Sequence, residues 1–77
     1  MREQIKAILR DSLLVDVSDH EQDLITEGLL DSARLTELFA LLENVFGVEV
    51  GVEDLVLDNF RSVERIAAWL GTKDAGA

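Results

Sequence analysis

The sequence predicts an all-α fold: a small four-helix bundle with a short third helix and a long first loop. Three observations carry that expectation. The chain has 77 residues, which makes one small domain. Its apolar residues, 48% of the total, are mostly leucine, isoleucine and valine with few aromatics. In the central segment they recur at helical spacing. From Leu35, apolar side chains fall at Leu38, Phe39, Leu42, Val45 and Phe46, one stripe of a helix of period 3.6.

Composition narrows the function as well. The formal net charge of −9 excludes nucleic acid and anionic membrane surfaces as natural partners, because both are bound through Lys and Arg. Basic protein surfaces, met in brief and electrostatically steered encounters, are the expected partners. There is no cysteine, hence no disulfide, thiolate metal site or cysteine nucleophile, and a thiol used in function has to come from a prosthetic group. No apolar run approaches a membrane span or a signal-peptide core, so no membrane insertion is expected and the cytoplasm is the expected compartment.

The first helix is expected from Arg2 to about Leu14, with Ile5, Ile8, Leu9 and Leu13 as its buried stripe. A long connection follows from Val15 to Asp31. Within it Ser18-Asp19-His20-Glu21 has the form of a capping box, and Leu24, Ile25, Leu29 and Leu30 pin the loop to the bundle. Gly28 permits a positive φ just before the leucine pair. The acidic cluster Asp16, Asp19, Glu21 and Asp23 fails the EF-hand pattern and reads as a solvated surface; no metal is expected. His20, the only histidine, reads as an exposed loop residue.

The second helix is expected from Ser32 to about Phe46. Asp31 and Ser32 are both good N-cap residues, so the helix starts at one of them. The serine hydroxyl then stands at a helix N-terminus, where unpaired N–H groups and the positive end of the dipole favour a phosphate. Opposite the core stripe lie Ala33, Thr36, Glu37, Ala40 and Asn44. Gly47 is the expected C-terminal stop, and Val48-Glu49-Val50 alternates as an extended segment. Val52–Leu55 is the expected third, minor helix, with Leu55, Leu57 and Phe60 as core candidates. Ser62 caps the last helix, whose stripe is Val63, Ile66, Ala67 and Leu70, flanked by Trp69; Gly71 is expected to end it. The domain is thus drawn as residues 1–71, with a flexible tail over 72–77.

Gly28-Leu29-Leu30-Asp31-Ser32, with Glu37-Leu38, Leu42-Glu43, Phe46-Gly47-Val48-Glu49-Val50, Asn59-Phe60-Arg61-Ser62-Val63 and Ile66, resembles the acyl carrier protein family, which includes peptidyl and D-alanyl carriers. The resemblance runs from about Ile5 to Leu70. It implies that Ser32 is the attachment point of 4′-phosphopantetheine, delivered from coenzyme A by a phosphopantetheinyl transferase that needs Asp31 as a neighbour. The arm's thiol would hold an acyl or aminoacyl group as a thioester. Partner enzymes, namely a loading ligase or acyltransferase and downstream biosynthetic enzymes, would read Leu30, Ala33, Arg34, Thr36, Glu37, Ala40 and Asn44. Ala33 and Arg34 depart from the general fatty-acid carrier pattern and lean toward a dedicated carrier in a specialised polyketide or nonribosomal-peptide-type pathway. The expected protein is a free-standing monomer, a shuttle rather than an enzyme. The rival is an unmodified acidic interaction module in which Ser32 serves only as a helix cap. A hydrolase built on Ser32 and His20 has no support in the spacing.

Overall fold

A computed structural model of the chain describes residues 1–74. Three α-helices form the frame: α1 (Arg2–Leu13), α2 (Ser32–Phe46) and α3 (Val63–Asp74). A single 3₁₀ turn, Val52–Asp54, stands where the short third helix was expected over Val52–Leu55, and a second, Leu57–Phe60, follows it. The architecture is all-helical with no strand among the described residues, and three α-helices rather than four. Leu55, which closes the first turn, and Leu57, which opens the second, are both exposed instead of lying in the core. Apolar identity alone could not reveal that these turns face outward.

α1 lays Ile5, Leu9 and Leu13 into the core, at the four-residue spacing that keeps side chains on one face. It stops because Leu14 enters the left-handed region (φ 58°) and the Val15 N–H folds back on the Leu9 carbonyl at 2.8 Å. The following connection is held from inside. Leu24 is fully buried, its N–H donates to the Arg61 carbonyl at 2.7 Å, and its carbonyl accepts from Leu29 and Leu30. Gly28 takes φ 75°, the turn expected of it. The capping box at Ser18 does not form. The Asp19 side chain captures the Glu21 N–H in a local turn, and Ser18 bonds Gln22 instead.

α2 buries Leu38 and Leu42, with Leu35, Phe39 and Phe46 packed at the edge of the core. Val45, in the last turn of α2, is exposed although at 100° per residue it lies only about 20° around the helix from the buried Leu38. Gly47 ends the helix at φ 68°. The Glu43 carboxylate then accepts the Val50 N–H at 2.9 Å, fixing an extended exit in which Val48 and Val50 pack on the core and Glu49 faces water.

α3 begins as expected, with the Ser62 hydroxyl accepting the Arg65 N–H at 3.1 Å. It does not end at Gly71 but continues to Asp74. A glycine inside a helix costs only about 1 kcal/mol, and tertiary contacts of Trp69 and Lys73 hold the last turn. Thr72, Lys73 and Asp74 therefore belong to α3, and the rest of the expected tail lies outside the described residues. α1 packs on both other helices. Phe60 stands between α2 and α3, its ring 4.8 Å from Phe39 and 5.0 Å from Trp69. No helix is long and apolar enough to cross a membrane, among the described residues.

Candidate functional site: the start of α2 and the groove beside it

Asp31 is the helix cap. Its backbone is extended (φ −97°, ψ −175°), its Oδ1 accepts the Arg34 N–H at 2.9 Å, and its carbonyl accepts from Leu35. That arrangement relieves Ser32 of capping. Ser32 is exposed as the first residue of α2, and its carbonyl takes the Thr36 hydroxyl at 2.9 Å. The Arg34 guanidinium also lies 3.3 Å from Asp31 Oδ2, so the carboxylate beside Ser32 is paired with a cation.

Ser32 opens onto a groove of about 240 Å³. One wall is α2, through Leu35, Thr36 and Phe39; the other is Leu55, Val56 and Leu57; Phe60 closes the inside. The lining is mostly apolar. An exposed hydroxyl at the positive end of a fifteen-residue helix, next to an apolar trough, fits a serine-linked phosphodiester with a long uncharged arm. Ser32 would hold the phosphate and the groove residues would receive the arm.

Most of the residues expected to meet partners are exposed. Ala33, Arg34, Thr36, Glu37, Ala40 and Asn44 are all exposed along α2. Leu30 is not among them: it is only 3% exposed and belongs to the core, because its N–H turns inward onto Leu24. His20 is half-buried rather than exposed. Its Nε2 sits 3.3 Å from Glu3, and its carbonyl accepts the Glu64 N–H. It lines a hollow with Lys6, Ser18, Asp19, Glu21 and Glu64, whereas Ser32 lines the groove, so the two do not form a catalytic pair there.

Sequence reasoning missed the second wall and what anchors it. Asp54 is buried, and its carboxylate receives the Trp69 indole N–H at 3.1 Å, the Gly51 N–H at 2.9 Å and the Lys73 ammonium at 2.5 Å. Lys73, followed by these N–H donors, holds that carboxyl below the usual carboxylate range despite its burial. The one legible signal was the run Leu55-Val56-Leu57, too apolar for a loop and without helical period.

A helix-start serine, its aspartate cap and an adjoining apolar trough thus lie together at one end of α2. Residues 3–70 match the family model described as phosphopantetheine attachment site. The chain is 31% identical over 67 residues to the D-alanyl carrier proteins of Streptococcus sanguinis and of Streptococcus mutans, covering 86% of this chain and 85% of each relative. The chain belongs to the acyl carrier protein family, defined by that attachment domain. It is a carrier protein whose cofactor is covalently attached 4′-phosphopantetheine.

Proposed function

We propose that Ser32 is the attachment residue and that the protein is a dedicated acyl or aminoacyl carrier of a specialised biosynthetic pathway. The observation that carries this reading is the exposed Ser32 hydroxyl, freed from capping by Asp31 and set at the mouth of the groove. In the attachment step Ser32 Oγ bonds to the phosphorus on the pantetheine side of coenzyme A. The adenosine-bearing phosphate leaves, and the hydroxyl proton passes to a base of the transferase. The arm supplies a terminal thiol on which the cargo is held as a thioester. Tethering keeps that cargo at high effective concentration for each docked enzyme.

The likeness to D-alanyl carriers supports a small aminoacyl group among the possible cargoes. Exposed Ala33, Thr36 and Ala40 allow close approach of a partner, with Arg34 and Glu37 as ionic anchors, for the loading ligase or acyltransferase and the enzymes downstream. The protein is a substrate and shuttle for these enzymes, working as a monomer.

The test is intact mass before and after incubation with a promiscuous phosphopantetheinyl transferase and coenzyme A, with peptide mapping. The expected result is a gain of one phosphopantetheine on the Ser32 peptide and none on Ser32→Ala, which stays folded because Asp31 remains the cap. Modification of Ser32→Ala would move the site elsewhere. No gain on folded, unmodified wild type would leave an acidic interaction module.

A further inference from the structure

We propose that Asp54, held by Trp69 and Lys73, is the positioning residue that sets the width of the groove beside Ser32 and so the length of acyl chain that the groove can enclose. This rests on the carrier reading above. Asp54 is 9% exposed on a turn whose neighbour Val52 is 86% exposed, so the carboxylate is turned into the protein while the chain around it faces water. A buried carboxylate is costly unless paired, and this one is paired on three sides, by Trp69, Lys73 and Gly51. Apolar packing could stabilise such a spot equally well; what a directional network adds is a fixed register.

That register is passed to the groove by two routes. Along the chain, Asp54 leads directly into Leu55, Val56 and Leu57, and its carbonyl accepts the Asn59 side chain at 3.1 Å, tying the two 3₁₀ turns together. Through space, Trp69 meets Phe60 edge-on at 5.0 Å, and Phe60 closes the inside of the groove. The wall needs such a pin. Its three apolar side chains are each more than half exposed, and 3₁₀ turns are weakly bonded. With the wall fixed, the groove stays near 240 Å³, below the roughly 300–1,000 Å³ of pockets for drug-sized ligands.

The experiment has two readouts on wild type, Asp54→Asn and Trp69→Phe. The first is amide hydrogen exchange of the unmodified proteins. Both variants are expected to exchange about tenfold faster over residues 51–60, the effect of losing one hydrogen bond to a charged group, with α1 and α2 unchanged. The second is the hydrolysis rate of acetyl, butyryl, octanoyl and dodecanoyl thioesters on the phosphopantetheinylated proteins. Wild type is expected to protect chains only up to the length that the groove encloses, and the variants to protect the next longer chain as well. Exchange that rises equally in every helix, or a length dependence unchanged from wild type, overturns the proposal. Failure of the carrier reading is distinguishable, since it shows earlier, as wild type that takes up no phosphopantetheine.

Discussion

The two long connections of this small protein are built on opposite plans. The first, between α1 and α2, turns its apolar side chains inward: Val15, Leu24 and Leu30 are buried and its acidic residues face out or bond their own backbone. The second, between α2 and α3, packs Val48, Val50 and Phe60 on the core but turns Val52, Leu55, Val56 and Leu57 outward and buries a carboxylate, Asp54. The first behaves as part of the core and sets where α2 begins. The second behaves as a wall leaned against α3 and lines the site. Their side chains thus serve different ends, stability in one and the shape of a binding surface in the other.

Substitutions can test how sharp that division is. Leu24→Ala should have the largest effect, about 2–5 kcal/mol from a filled core position. The net stability of an unstapled domain of this size is only roughly 3–5 kcal/mol. Thermal or urea unfolding should therefore find the variant largely unfolded, and a mild loss would mean that the first connection is less integral than its packing implies.

Acid should weaken both connections, through one carboxylate in each. The Thr26 N–H, with Arg61 adding to it, holds Asp23 below its ordinary range, and Lys73 does the same for Asp54. Each folded pKa is depressed relative to an unfolded value of about 3.9, so each contribution is fully present above that pH and lost as pH falls through the folded value. Trp69 emission, which watches the second wall, should report the change below about pH 4. Asp54→Asn should flatten that response, and Asp23→Asn should leave it in place.

Leu14 offers a smaller test at the entry to the first connection. It is a leucine at positive φ and 85% exposed, where left-handed backbone costs an L-residue roughly 1–2 kcal/mol. Leu14→Gly should raise the unfolding midpoint, by an amount equivalent to about 1 kcal/mol at most. The smallest effect belongs to the second connection. Leu57→Ser should change stability by no more than about 0.5 kcal/mol, since Leu57 is 55% exposed, yet it should lower the protection of a loaded thioester. A large loss of stability there would make the wall part of the core.

Much of the frame was legible in the sequence. Helix stripes such as Ile5-Leu9-Leu13 are visible because a regular helix maps sequence spacing directly onto one face. Gly28 and Gly47 announced their turns through the one residue that takes positive φ freely, and Asp31 and Ser62 announced helix starts through side chains that bond their own backbone. The same local reason placed Ser32 at a helix start, whereas its reading as the attachment serine came from the resemblance to carrier proteins.

Local chemistry alone determined where α2 begins and that Ser32 stands at its positive end, because both depend on residues within one helical turn. Only the tertiary structure decided that Leu30 serves the core and is absent from the exposed face, that Leu55, Val56 and Leu57 are the groove's outer wall, and that α3 runs through Gly71 to bring Lys73 to Asp54. The physical reason is separation along the chain. Asp54 meets Trp69 fifteen residues away, and a buried carboxylate looks the same in sequence as a solvated one until its donors arrive.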